Sequence, residues 1–241
     1  MGVRAACQIP LSSRREMSGG AATHRTHRVR WVRLLLFSVG WMVAATGASC
    51  APWIERPAAA LVLTAPDLAE FVKFLPEVRD GTLGIQRLFF LAPLFLLTLG
   101  TPLALGSGLS GTPSWLRLLT RLAVFPLALM LLPPVWSPTV MISEEFRLQT
   151  LGCIVCIVLA IVWRSNWRLP RYLLALLSLG WVVAPLLAIW QFVEAQPAIA
   201  RAYASAITLG WGVWATVGGG VLMSFIILWL VWRDANHCES R

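Results

Sequence analysis

The most reactive pair of side chains in this chain is Cys153 and Cys156, in the tetrapeptide Cys153-Ile154-Val155-Cys156. At i and i+3 both sulfurs face one side of a helix. At a helix N-terminus such a pair has its thiol pKa lowered by the helix dipole, and the thiolate is the species that exchanges disulfides. Cysteine is also a small apolar residue at home in buried helices, and that packing role is the first expectation here. Other chemistry is sparse. His24, His27 and His237 lie in the tails, and His237-Cys238 falls short of the four ligands a zinc site needs, so no metal site and no cofactor are expected. Glu144 and Glu145, beside Arg147, read as solvated loop carboxylates. Gly218-Gly219-Gly220 lies within an apolar run between Val217 and Val221, which fits close helix contact better than a phosphate cradle. With no His near the outer carboxylates, no Ser/His/Asp set can be assembled.

The tetrapeptide resembles the redox-active pair of the vitamin K epoxide reductase family, a four-helix membrane fold. The resemblance covers these four residues. That family also uses a second pair of loop cysteines. Here Cys50 is the outer-side candidate, while Cys7 and Cys238 fall on the opposite side, so a family-like relay would lack one thiol. What the resemblance implies is a thiol-disulfide oxidoreductase using Cys153 and Cys156 with a quinone.

The elements that must carry these residues are set by the solvent. Hydrophobic residues make up 58% of the 241 and charged residues 13%, about half the charged share of a water-soluble domain. So few charges could not cover a soluble surface, whereas lipid would solvate the chain. The net charge of +9 sits at the edges of apolar runs, as orientation signals do, which argues against nucleic acid. Six apolar stretches, about 34–52, 87–107, 121–140, 148–163, 172–193 and 204–232, are near the length that crosses roughly 30 Å of hydrocarbon as a helix. The expected fold class is therefore an all-α membrane protein, a six-transmembrane-helix bundle over residues 31–232. Residues 1–30 read as a disordered cytoplasmic tail, with Met17 an alternative start, and 233–241 as a second cytoplasmic tail.

Charge orients the spans. With the N-terminus in the cytoplasm, the inner segments hold fourteen basic residues and three acids, and the outer ones six basic residues and eight acids. Both termini are then cytoplasmic. Trp31, Trp115, Trp163, Trp167, Trp229 and Trp232 fall at the inner interface, and Trp53, Trp136 and Trp190 at the outer one. Arg28 to Arg33 before an apolar run ending at Ala48-Ser49-Cys50 also resemble a secretory signal, with Cys50 as a lipidation site. Gly47 stands where such a signal carries Leu, so an uncleaved first helix is the better reading.

The first outer loop is the one sizeable soluble element. Thr64-Ala65-Pro66-Asp67 reads as a capped helix start, and Leu68, Phe71, Val72 and Leu75 form an apolar stripe ending at Pro76. A short amphipathic helix over 64–76 is expected, lying on the outer surface or capping the bundle. A weak repeat links Ser38-Val39-Gly40-Trp41, Ser178-Leu179-Gly180-Trp181 and Thr208-Leu209-Gly210-Trp211, in which a Gly beside a Trp lets a neighbouring helix approach. No ionisable residue sits near the midplane, where ion-coupled carriers keep one.

The function expected is non-enzymatic: a subunit of a membrane complex or a permease-like component, multi-pass in a bacterial plasma (inner) membrane. Its expected partners are the lipid bilayer and other membrane proteins or further copies of itself, with no nucleic acid. Besides the oxidoreductase, a carrier for an apolar or zwitterionic small molecule is a third class, with its cavity near Trp41, Trp181, Trp211 and Trp214.

Overall fold

A computed structural model describes residues 12–56, 61–107, 112–133, 137–162, 169–204 and 206–239. The chain divides into two compact units, Met1–Leu35 and Leu36–Arg241. Helix α1 spans Ser12–Ser49. Helical backbone from Ser12 departs from the expectation of a disordered tail over 1–30. Once an apolar helix is nucleated, each further residue adds a hydrogen bond at little cost, and Gly19-Gly20 are the weakest helix formers in this stretch. Residues 1–11 lie outside the described residues.

The second unit is predominantly helical. After α1 come strands β1 (Ile54–Arg56) and β2 (Leu61–Leu63), then short helices α2 (Ala65–Phe71) and α3 (Pro76–Arg79). The long helices α4 (Leu88–Ser107) and α5 (Ser114–Met130), the short α6 (Pro138–Ile142), and then α7 (Arg147–Val162), α8 (Arg171–Ala202) and α9 (Trp211–Glu239) complete it. Among the described residues, four helical stretches are long and apolar enough to cross a membrane: 31–49, 88–106, 171–202 and 211–233. The chain thus falls in the class of helical membrane proteins.

Two of the expected spans shift. The third, placed at 121–140, is instead α5, beginning at Ser114 and ending at Met130. The earlier start takes Arg117 into the helix, which carries such a residue readily by burying its stem and leaving the guanidinium in water. The helix stops because a residue before proline disfavours the α conformation, and Leu131 and Leu132 wind out in i→i−3 bonds ahead of Pro133. The stretch expected over 204–232 is helical only from Trp211, because the preceding segment pairs with the hairpin. Ile54 bridges Leu209, and the Gly210 N–H donates to Trp53 O at 2.7 Å. At its other end α9 runs on to Glu239, past the expected boundary at 232.

The helices touch where side chains are small. A Cβ on Gly219 would strike the Gly40 carbonyl and the Ala44 backbone of α1, and one on Gly220 would strike the Trp181 carbonyl of α8. Adjacent glycines thus let α9 lie hard against α1 on one side and α8 on the other. Ser224 strengthens that contact, its hydroxyl lying 2.5 Å from Ser178 O and 2.7 Å from Gly220 O. The buried Trp181 ring sits against Gly100 of α4, donates its indole N–H to Leu96 O at 3.1 Å, and meets Phe37 edge-on at 5.9 Å. α5 and α7 pack on each other and on α4, on which α8 also packs.

A polar cap closes one end. Thr64 and Asp67 form the expected capping box, each binding the other's backbone N–H, and α2 packs on α4. Leu68, Val72 and Leu75 are buried, so this stripe faces protein; Phe71 stacks on Tyr203. The hairpin and Trp53 were not anticipated in these roles. Trp53, expected at the outer lipid interface, is fully buried and donates its indole N–H to Gly47 O at 2.9 Å.

Candidate functional site

Cys153 and Cys156 occupy the seventh and tenth positions of α7. The macrodipole acts mainly on the first turn, so neither thiol receives the activation a helix start would provide. Both are buried, and the Cys153 thiol donates to Ala128 O of α5 at 3.1 Å. Spacing at i and i+3 does place both on one buried face, from which Cys153 meets α5. Cys50, Cys153 and Cys156 are free thiols, with Cys50 exposed at the end of α1. Cys7 and the side chain of Cys238 lie outside what the structure describes. Among the described residues, no group of three or more His, Cys, Asp or Glu could hold a metal ion.

The cap holds the densest polar cluster. Lys73 Nζ lies 2.7 Å from Glu70 and 3.4 Å from Glu145, while Arg87 Nη1 lies 3.1 Å from Glu70 and 3.6 Å from Glu145. Arg87 Nη2 also donates to Glu145 O at 2.6 Å. The Phe146 ring lies within 4.9 Å of Lys73 and 4.2 Å of Arg87. Glu145, read as a solvated loop carboxylate, thus fastens the α6–α7 corner to Lys73 just after α2 and to Arg87 just before α4; Glu144 is exposed. The last third of α8 joins the same cap: the Gln86 N–H donates to Gln191 at 2.8 Å, and Arg201 Nη2, at the helix end, to Glu77 at 2.7 Å. The hydrogen bond from Arg201 holds the Glu77 carboxyl below its ordinary pKa. The cluster is built of ion pairs and hydrogen bonds between the protein's own groups. It joins connections far apart in sequence.

A third feature lies among the helices. Phe37, Trp41 and Met42 of α1, Leu105 of α4, and Leu119 and Ala123 of α5 enclose a half-open apolar groove of about 100 Å³. It sits at the last turns of α4 and the first turns of α5, away from the cap. Thr101 and Thr120 also line it, but their hydroxyls donate to Leu97 O and Leu116 O of their own helices. The Trp41 indole N–H is buried without an acceptor.

Of the four tryptophans expected around a cavity, only Trp41 lines this groove. Trp181 is a packing hub, and Trp211 and Trp214 sit exposed in the first turn of α9. Trp229 and Trp232, also exposed, lie near its other end, about 27 Å along the axis from Trp211, close to the hydrocarbon thickness. Trp136, Trp163 and Trp167 lie outside the described residues. Sequence reasoning missed the groove and the ionic cluster.

No family model, curated protein or solved structure matches the chain. The likeness to the vitamin K epoxide reductases stays confined to its four residues.

Proposed function

We propose that the chain is a non-enzymatic, six-span subunit of a membrane complex, multi-pass in a bacterial plasma membrane with both termini cytoplasmic. The observation that carries the subunit reading is the α5–α7 pair. With 17 and 16 residues these helices extend about 25 and 24 Å, short of the roughly 30 Å hydrocarbon layer. Both turn apolar surface outward: Trp115, Leu118, Leu122 and Phe125 on α5, and Leu151, Ile154, Val158 and Ile161 on α7. A short apolar pair is matched either by a thinned bilayer or by packing against a neighbour. The ion pairs that draw residues 70, 73, 87 and 145 together, with 77 tied to 201, support the shared outer side that charge counting assigns to those loops.

Copurification from gentle detergent tests the subunit reading. A stoichiometric partner is expected, retained by the wild type and lost with Leu122→Arg and Ile154→Arg on the outward faces. Recovery of a solitary, partner-free chain from native membranes overturns it. A permease-like carrier is the second reading, and the groove at Trp41 favours it. Its volume is below the roughly 300–1,000 Å³ of a pocket that encloses a small molecule, which places it second.

A further inference from the structure

We infer that two copies of this chain pair side by side in the membrane through the outward face of α9, the two helices crossing at Gly218. The membrane setting rests on the reading above; the pairing uses α9 and leaves the α5–α7 face to the partner proposed there.

Gly218 carries the inference. Its neighbours have work inside the chain, since Gly219 admits the α1 backbone and Gly220 the Trp181 carbonyl of α8. Gly40, Gly47, Gly100, Gly152 and Gly180 likewise each meet another helix where a Cβ would stand. A Cβ on Gly218 would meet nothing within 4 Å, so no contact within the chain calls for its small size. Glycine weakens a helix relative to alanine, and fluid lipid needs no gap in a helix surface. A second helix does, because a missing side chain lets two backbones approach closely.

The surroundings of Gly218 fit a second copy. It shares one stripe with Trp211, Trp214, Val221, Phe225, Leu228 and Trp232, and every member is exposed. Successive members are separated by three and four residues in alternation, the spacing that keeps one helix in register along another. In a two-fold pair whose axis follows the membrane normal, each of these residues faces its own copy. Gly218 then meets Gly218, and the large side chains to either side fill the space where the helices diverge. No residue from Trp211 to Trp232 is ionisable, so the symmetry sets no charge against its like. The six large side chains leave roughly 750 Å² uncovered, close to the ~800 Å² that each partner brings to a stable interface.

The test uses the full-length chain in phosphatidylcholine vesicles, diluted in lipid so that chance encounters are rare. Cys7, Cys50 and Cys238 are changed to alanine, and one cysteine is added for cross-linking by an oxidant. Val221→Cys, beside Gly218, is expected to trap a dimer roughly tenfold or more above Ile154→Cys, a similarly exposed position on α7. Adding Gly218→Leu should cut the Val221→Cys dimer roughly tenfold or more while the thermal midpoint in detergent holds, since the new side chain meets nothing within its own chain. Equal trapping at 221 and 154 overturns the inference, as does a dimer that survives Gly218→Leu. Should Gly218→Leu fail to fold, Phe225→Ala, a truncation at a position 67% exposed, decides in its place. It should weaken the dimer severalfold, and an unchanged dimer overturns the inference. Leu122→Arg with Ile154→Arg, which removes the proposed partner, should leave the Val221→Cys dimer intact. Loss of the dimer with those two changes would put the contact on α5 and α7 and overturn the pairing through α9.

Discussion

Single residues decide what this molecule can and cannot do. Cys153 and Cys156 have the spacing of a redox pair, but they lie beyond the first turn of α7 with one thiol bonded to a carbonyl. We expect a maleimide to label Cys50 at least roughly tenfold faster than either, since reaction needs an accessible thiolate. The pair should also trap as two free thiols with or without reductant; a disulfide that accumulates in native membranes would restore the oxidoreductase reading. The glycine run provides a sharper internal control. Gly219 and Gly220 face backbone on two sides, whereas a Cβ on Gly218 meets nothing within 4 Å. Gly219→Leu and Gly220→Val should each cost about 1–3 kcal/mol or more through forced backbone displacement, and Gly218→Ala should be neutral or gain up to about 1 kcal/mol. Thermal unfolding midpoints in detergent check the contrast, and equal losses at all three positions would refute the packing described.

At the scale of elements, the cap is held by pairs that are individually weak. Partly exposed ion pairs contribute about 0.2–1 kcal/mol each, so Glu70→Gln should leave global stability nearly unchanged. Hydrogen exchange over residues 64–86 should nonetheless quicken, because Glu70 meets both Lys73 and Arg87. The Glu77–Arg201 tie adds a pH dependence. A carboxyl held below its ordinary pKa contributes stability that is full above that ordinary value and is lost as pH falls through the depressed one. Protection of the α3–α8 contact should therefore weaken in acid, and Glu77→Gln should flatten that response. Much of this element was legible: Thr64 and Asp67 announce the cap, and Leu68, Val72 and Leu75 announce the buried stripe. The hairpin was not, since three-residue strands carry too short an alternation to read. Nor was the cluster. Lys73 and Glu145 are 72 residues apart, and nothing local to either encodes the meeting.

For the whole molecule, hydropathy made the membrane class plain, because long charge-free runs admit no other solvent. Boundaries fared less well wherever a charge sat inside a helix, as Arg117 and Arg121 do in α5, or where tertiary pairing consumed residues, as at 206–210 before α9. Arrangement across the bilayer is checked by reporter fusions. Fusions after Asp80, Glu144 and Ala202 should report the outer side, and fusions after Arg117 and Arg233 the cytoplasm. Glu144 and Arg117 on the same side would overturn the six-span arrangement.

The 32 residues of α8 make a shaft about 48 Å long, so roughly a third of it rises clear of a 30 Å oily slab. A lean of only ten degrees would sweep its tip by about 8 Å. Arg201 and the ring of Tyr203 moor that tip to the cap, and Gln191 ties the shaft lower down. Its inclination is therefore fixed at two levels, by the flanks of α4 and α9 along its length and by these moorings above them.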